Sequence, residues 1–289
     1  MIHCKRLPVL PSNLAILALL LGAAGCHWKS SAERAAEPIV EQNAVARGGQ
    51  RAWQRVEAMS LSGRLDAGRP RDPVKLAAAY LKQARPSKVQ ARKAPTHGRE
   101  AEVDRPLQLP FVMELKRPDR SRVEVRFQGQ TAVQVYDGSQ GWKLRPFLGR
   151  QEVEPFTPEE LQVASQQAPL DGPLLGRAAM GSRVELEGSE RLEGRDTYRL
   201  KVTARDGQAR HVWVDAQSGL DVKVDGTRRV DGKPRTLWTT LRDYRPVDGL
   251  MVPHLLETTI EGISGSEKIV VERVALNPTL DDSRFSRPN

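Results

Sequence analysis

From Phe111 onward, apolar residues alternate with charged or polar ones over short segments that are separated by turns. A period of two is typical of antiparallel strands that bury one face and expose the other. The connections are short and contain Gly, Asp and Gln, so consecutive strands are expected to form a meander. The alternation predicts one inward apolar face, made of Phe111, Met113, Leu115, Val123, Val125, Phe127, Val133, Val135, Trp142 and Leu144.

Further strands are predicted on both sides of this meander. One strand precedes it, from Met59 to Leu65, and several more follow a helical interlude. The later strands are expected at 184–190, 197–203, 210–214, 220–224, 236–244, 255–260 and 268–275. Trp213, on one of these strands, has a large apolar surface and is a further candidate for the wall of an apolar cavity. The pattern as a whole predicts a mainly β protein of about ten to eleven strands.

Two segments carry helical signals. Residues 49–57 place Trp53 on the apolar side of an amphipathic helix. A second helix is predicted after Thr157, an N-cap residue that is followed by proline and, three residues on, by glutamate. Leu161 lies on the apolar side of this second helix. Because each apolar side must rest on something, both helices are predicted to cover the mouth of a curved sheet as a lid.

The N-terminal segment predicts secretion and lipid attachment. Lys5 and Arg6 precede an apolar run from Leu14 to Gly25, and small residues stand directly before Cys26. This is the pattern of a signal peptide over residues 1–25, and its apolar run is too short to span a membrane as a helix. Small residues followed by cysteine resemble the bacterial lipobox, in which the cysteine is acylated and becomes the first mature residue. The alternative is an ordinary signal peptide that ends near a cysteine.

The residues around the cysteine bear on where the mature chain is held. Lipoproteins retained at the inner membrane typically carry aspartate after the cysteine, and this chain has His27 there. That difference indicates the outer membrane, with the protein facing the periplasm. Residues 26–43 are polar and alanine-rich, which predicts a tether between the lipid and the fold. Cys4 leaves with the signal peptide, so no thiol remains for a disulfide or a metal site.

The formal net charge of +9 is concentrated in one segment of the chain. Residues 69–99, within a predicted insert at 67–110, hold nine basic side chains and one acidic one. Such a segment can contact anionic lipid head groups. The alternative is a solvated, partly disordered insert outside the sheet. No nucleic-acid partner is expected behind a secretion signal.

No catalytic or metal-binding pattern stands out in the sequence. The mature chain has four histidines, none at metal-ligand spacing with another: His27, His97, His211 and His254. Motifs of the Gly-x-Ser-x-Gly, phosphate-loop and His-Glu-x-x-His types do not occur. Asp281 and Asp282 are adjacent acids, an arrangement more typical of a turn or a cap. We therefore expect no enzyme activity, no cofactor and no metal.

Six segments together carry a resemblance to a known family: Ala46–Leu65, Val135–Leu144, the helix after Thr157, His211–Val224, Asp243–His254 and Val271–Phe285. In their order and spacing they resemble the outer-membrane lipoprotein-sorting proteins of the LolA/LolB-like superfamily. The resemblance covers nearly all of residues 44–289 apart from the basic insert, so these residues are expected to form one domain.

The resemblance implies an open, half-closed antiparallel β-barrel whose cavity takes acyl chains and whose helices act as a lid. The predicted lipid anchor matches the LolB acceptor, whereas the motifs are closer to the LolA-type sorting proteins. The function implied is that of a lipoprotein that binds acyl chains and carries or accepts lipoproteins or lipids. The alternative is a structural envelope lipoprotein that binds a protein partner through a fully packed barrel with no lipid cargo.

Overall fold

The computed structural model describes residues 29–66, 107–146, 149–167, 170–176, 181–230 and 232–288. Among these residues, thirteen strands form one antiparallel sheet. In chain order the strands are β1 (Ala58–Asp66), β2 (Gln108–Lys116), β3 (Arg120–Phe127), β4 (Gln130–Tyr136), β5 (Gly141–Arg145), β6 (Arg150–Pro155), β7 (Arg183–Leu192), β8 (Arg195–Thr203), β9 (Ala209–Asp215), β10 (Asp221–Val230), β11 (Lys233–Val247), β12 (Leu250–Ile260) and β13 (Glu267–Leu276). The expectation of a mainly β protein is confirmed, with thirteen strands rather than ten to eleven.

The sheet consists of two meanders that are joined by its first and last strands. β1 pairs with β2 on one side and with β13 on the other, so the order runs from β6 at one edge to β7 at the other. The two edge strands do not pair with each other, which leaves the sheet open and confirms the half-closed barrel. The alternation does not predict β6, because its sequence RQEVEP has polar side chains at most positions.

Helices lie on both faces of the sheet. The described helices are α1 (Ser31–Ala46), α2 (Gln50–Gln54), α3 (Pro158–Gln167), α4 (Gly172–Leu175) and a 3-10 helix (Asp282–Phe285). The face that packs against α1, α2 and α3 is called the inner face, and the face under the 3-10 helix is called the outer face. Within the described ranges, no helix has the length and apolar character needed to cross a membrane.

Helix α1 corrects the prediction of a tether for residues 31–43 of the predicted range 26–43. Ser30 caps the helix, and its hydroxyl accepts a hydrogen bond from the backbone N–H three residues on, at 3.1 Å. Ala36, Ile39 and Val40 are buried against strands β7 to β9. Most polar residues of the helix, among them Glu37, Glu41 and Gln42, are exposed, so its alanine-rich composition belongs to a packed amphipathic helix and not to a flexible linker.

The ends of the strands form two rims of the sheet, an upper and a lower one, and the helices can be located relative to them. The upper rim carries the turns that follow β2, β9 and β11, and the lower rim carries those that follow β8, β10 and β12. α2 and α4 cover the inner face near the upper rim, where Trp53, Met59, Leu175 and Leu250 are buried in one cluster. β1 ends and β2 begins at the lower rim, so the predicted insert leaves and rejoins the sheet there.

The predicted bounds of the insert need one correction. β2 begins at Gln108, so the last residues of the range 67–110 belong to the sheet because they pair with β1. The basic segment 69–99 and the acylation candidate Cys26 lie outside the described residues.

Candidate functional site

The inner face carries a continuous apolar surface that is formed by β1, β2, β3, β12 and β13. We call this surface the apolar wall. Its main members are the buried Leu65, Leu109, Phe111, Val125 and Val271 and the half-buried Leu61, Met113, Val123, Phe127, Leu256 and Ile269. No described helix contributes a residue to this cluster, unlike the parts of the inner face under α1 and α2. The wall is therefore the surface on which an apolar ligand could contact the sheet.

Strand pairing brings the predicted residues of β2 and β3 together on this wall. Phe111 lies opposite Val125, and Met113 lies opposite Val123. Residues directly opposite each other in an antiparallel pair project to the same face. Leu115 lies on the same face nearer the upper rim, where it packs against the cluster around Trp53. The structure thus places six predicted residues on the inner face: Phe111, Met113, Leu115, Val123, Val125 and Phe127.

The prediction that the side chain faces inward is wrong for the four residues of β4 and β5, although Val135 also borders the space beside α3. Val133 lies opposite Glu124 on β3 and opposite Leu144 on β5, which puts it on the outer face. Val135 and Trp142 form the neighbouring pair on the same face. This set of Val133, Val135, Trp142 and Leu144 packs with Phe285 of the C-terminal 3-10 helix as a separate outer-face cluster.

The turn between β3 and β4 explains the reversal. Phe127 pairs with Gln130, so only Gln128 and Gly129 stand between the strands. Two residues that pair across neighbouring strands project to the same face. With a two-residue turn, each odd-numbered residue of β3 pairs with an even-numbered residue of β4, so the inward positions are odd-numbered on β3 and even-numbered on β4. The inner face of β4 is therefore formed by Ala132, Gln134 and Tyr136.

Trp213 also lies on the outer face, away from the apolar wall. It pairs with Arg199 on β8 and with Lys223 on β10. The ammonium of Lys223 lies 4.7 Å from the centre of the Trp213 ring, and the indole N–H donates to the carboxylate of Glu190. The adjacent Val212 and Val214 point inward and pack under α1. The prediction of Trp213 as a cavity residue is wrong, because strand pairing puts its side chain on the outer face.

A buried ion pair fixes helix α3 to the inner face beside the wall. The Lys143 ammonium donates to both carboxylate oxygens of Glu160, at 2.6 and 2.5 Å. Their side chains are 2% and 4% exposed, respectively. Glu160 also accepts from the Thr157 N–H at 2.8 Å, while the Thr157 hydroxyl accepts from the Glu160 N–H at 3.2 Å. The predicted helix start at Thr157 is confirmed, and its third residue also supplies the link to the sheet.

Between α3 and the sheet lies a small solvent-connected cavity of about 50 Å³. Val123 of the apolar wall lines it from the sheet, and Phe156, Val163 and Ala164 line it from α3 and the segment before it. Leu161 is half-buried on the same helix. The space is continuous with the wall at Val123, so α3 lies where a movable cover would lie. That Leu161 acts in a lid stays a prediction.

Trp53, the other lid candidate, is firmly held. The side chain is 1% exposed, and its N–H donates to the Arg47 carbonyl at 2.9 Å. The Arg47 guanidinium lies 4.4 Å from the centre of the indole ring. These contacts place Trp53 in the core at the upper rim, and its part in gating stays a prediction.

A buried polar cluster that the sequence does not reveal attaches α1 to the upper rim. Asn43 donates to the Gly219 carbonyl and to the Asp221 carboxylate, each at 2.8 Å. The Arg47 guanidinium lies 3.7 Å from the same carboxylate. Burial raises the pKa of Asp221, against the opposing effects of Arg47 and Asn43. The cluster fixes the C-terminal end of α1 to the turn between β9 and β10.

Ionisable groups elsewhere take structural roles. His254 is buried, and its Nδ1 lies 2.9 Å from the Val252 carbonyl oxygen. Asp281 caps the 3-10 helix by accepting from the Ser283 N–H at 2.8 Å. In the part of the chain that the structure describes, no three His, Cys, Asp or Glu side chains are grouped so that they could hold a metal ion.

Comparison with solved structures identifies the architecture. A DUF1329 family protein from Desulfovibrio piger is similar with a TM-score of 0.55 at 12% identity, over 89% of this chain and 98% of the other. A LolA superfamily protein from Nitrosomonas europaea is similar with a TM-score of 0.50 at 15% identity, over 87% of this chain and 97% of the other. This chain has a LolA-like fold. No protein-family model and no curated protein match the sequence.

Proposed function

We propose that this chain is a lipid-anchored envelope protein that binds acyl chains on the apolar wall and carries or accepts lipoproteins or lipids. The observation that carries the proposal is the wall itself, an apolar cluster on the inner face of five strands to which no described helix contributes a residue. Sites for apolar ligands are lined predominantly by apolar and aromatic side chains, as this wall is. The LolA-like fold and the motif resemblance support the same interpretation.

An acyl chain suits this surface by its chemistry. Each buried methylene contributes about 0.8 kcal/mol, so a 16-carbon chain offers roughly 12 kcal/mol before ordering costs. Binding of this kind needs a dry apolar surface and no reacting group. Release then depends on a partner with a better site, or on a movement that weakens the grip.

Helix α3 is the element that we propose as the lid of this site. It lies over the space next to Val123, and the buried ion pair Lys143–Glu160 connects its first turn to the sheet. Opening would require the two charges to separate or to move together into water. Since an uncompensated buried charge is costly, the pair favours two discrete positions of α3, docked and released.

Cys26 is proposed as the acylation site that holds the protein at the outer membrane, facing the periplasm. The support is the sequence pattern of residues 1–27 and the lipobox resemblance. Stable attachment through acylation takes more than one chain, as the resemblance to bacterial lipoproteins implies.

The register of the sheet supplies a direct test of binding on the wall. Val123→Glu puts a charge on the inner face, and Leu144→Glu puts the same charge on the outer face. A fluorescent fatty acid should bind at least about tenfold more weakly to Val123→Glu, because a buried unpaired carboxylate costs more than 1.4 kcal/mol. Leu144→Glu should keep the affinity of the parent chain.

Val123 and Leu144 are both half-buried, so a glutamate at either position could unfold the protein. Circular dichroism and thermal unfolding must therefore first show that each variant is folded. Equal loss of probe binding in two folded variants would contradict binding on the inner face. A folded parent chain that takes up no fatty acid or phospholipid would instead favour a structural lipoprotein without lipid cargo.

A further inference from the structure

The orientation of α1 determines which end of the molecule faces its anchor. The C-terminal end of the helix is fixed at the upper rim through Asn43 and Gly219. From there the helix runs back along the inner face and packs mainly on β7. Sixteen residues at 1.5 Å each extend about 24 Å. The first residue of α1, Ser31, therefore lies toward the lower rim.

The chain between Cys26 and α1 is too short to let the domain swing freely. Four residues, 27–30, separate the proposed acylation site from Ser31. From Cys26 to Ser31 there are five steps from one Cα to the next, and at no more than about 3.6 Å each they allow a reach of roughly 18 Å. An acyl group on Cys26 would thus hold the lower rim close to the bilayer, with the upper rim pointing away.

The lower rim carries exposed basic side chains. Arg205 stands in the turn between β8 and β9, and Arg229 and Lys233 flank the turn between β10 and β11. Residues 228–235 hold four basic side chains and one acidic one in the sequence. The lower rim also carries exposed Asp206 and Glu261, and the turns of the upper rim that follow β2 and β11 carry exposed Asp119 and Asp248. The basic excess of residues 228–235 favours contact of this part of the lower rim with a negatively charged surface.

The apolar wall reaches the same rim. Leu65 and Leu109 form a pair one position from the end of β1, and Phe127 ends β3. Ile269 lies near the beginning of β13, also at the lower rim. The lower end of the wall therefore lies at the rim that the proposed anchor would hold near the bilayer.

We propose that the lower rim, with Arg205, Arg229 and Lys233, is a docking surface for an anionic lipid bilayer. Docking turns the end of the apolar wall toward the membrane that holds the anchor. The inference rests on the proposed acylation of Cys26, because the short connection sets the orientation. It adds to the proposed function a defined partner, the anionic lipid surface, and a direction of acyl-chain entry.

The orientation can be measured with one engineered thiol at a time, since the mature chain has no free cysteine once Cys26 is acylated. Ser264→Cys is exposed in the turn after β12, at the lower rim. Gln217→Cys is its matched control, exposed in the turn after β9 at the upper rim. Each is labelled with a fluorophore in the acylated protein, and quenching by spin-labelled lipid is measured in phosphatidylcholine vesicles that contain phosphatidylglycerol.

Strong quenching at Ser264→Cys with little at Gln217→Cys is expected. Equal quenching, or stronger quenching at Gln217→Cys, would overturn the orientation. Flotation of the same samples reports the anchor separately. Protein that floats but shows the reverse quenching contradicts only this inference, whereas protein that does not float contradicts the proposed anchor.

A charge-reversal pair tests the role of the basic residues. Arg229→Glu with Lys233→Glu changes the lower rim, and Arg51→Glu with Arg55→Glu makes the same charge change on exposed positions of α2 and its end. Two basic residues near an anionic surface shift a docking equilibrium about 30-fold. Quenching at Ser264→Cys should fall in the first variant and stay unchanged in the second. An equal effect of both, or no difference between vesicles with and without phosphatidylglycerol, would refute charge-dependent docking.

Discussion

Gly63 allows the close approach of β1 and β13, the two strands that connect the halves of the sheet. It stands on β1 where the pairing with β13 shifts register, directly after Ser62. A Cβ atom at this position would overlap the backbone carbonyl oxygen of Val270. Because a backbone atom of a paired strand cannot move aside cheaply, only glycine lets β1 and β13 approach this closely.

Gly63→Ala is therefore expected to destabilise the protein by about 2 kcal/mol or more, since overpacking against backbone forces the strands apart. Gly226→Ala is the matched control, because the nearest atom to its Cβ is a Leu237 side-chain carbon at an ordinary 3.5 Å. Urea unfolding of the two variants measures the difference. Equal midpoints would show that the join tolerates a side chain.

Glu154 gives an acid-sensitive contact at the edge of the sheet. Burial raises its pKa, but Arg145 and Arg150 more than offset this, so the pKa in the folded state lies below the usual value of 4.5. Stability from this contact is present above that usual value and is lost as the pH falls through the folded-state pKa. Glu154→Gln should lower stability at pH 7 and make it fall less steeply on acidification. Identical pH profiles of urea unfolding for parent and variant would contradict this.

Alternation alone correctly places the apolar side chains of β2 and β3. It fails at Val133 and Leu144. Odd-numbered residues face inward on β3, but after the two-residue turn they face outward on β4, and Leu144 pairs with the outward Val133. The signal was present in the sequence, since Gln128-Gly129 is short enough to fix the pairing of the flanking residues. The Lys143–Glu160 pair could not be predicted, because its partners become neighbours only when α3 lies on the sheet.

At the scale of elements, α1 changes the picture of the N-terminal region most. A tether and an amphipathic helix share the same polar, alanine-rich composition, and they differ only in whether the small and apolar residues recur at helical spacing. Ala36, Val40 and Ala44 follow one another at intervals of four and are all buried. The meander that begins at β2, in contrast, follows from short turns and period-two segments in the sequence, whereas the pairing of β1 with β13 does not.

Two valines of α1 distinguish a packed helix from a tether. Val40 is 1% exposed and Val45 is 72% exposed. Val40→Ala should cost about 2 kcal/mol through lost burial and an incompletely filled space. Val45→Ala should leave stability unchanged or slightly higher, because alanine has the better helix propensity. Thermal and urea unfolding of both variants provide the measurement, and equal effects would mean that α1 does not pack as described.

At the scale of the whole molecule, the proposed function is binding on an apolar surface and requires no reacting group. The open sheet presents an apolar wall on its inner face, has a helix fixed over part of that face by a buried ion pair, and carries basic turns at one rim. The LolA-like fold was predictable from the resemblance, because its six segments follow one another in order over nearly all of residues 44–289 apart from the basic insert. The contribution of residues 69–99, outside the described ranges, stays a prediction.

Photo-crosslinking with a diazirine-bearing palmitate tests most directly whether the apolar wall binds acyl chains. The purified protein is labelled, digested and analysed by peptide mass spectrometry, with excess unlabelled palmitate as competitor. Labelling should concentrate on inner-face residues of β1, β2, β3, β12 and β13, among them Met113, Val123 and Leu256, and should be competed. Labels confined to the outer face around Leu144 or Trp213, or no competed label at all, would contradict binding on the wall.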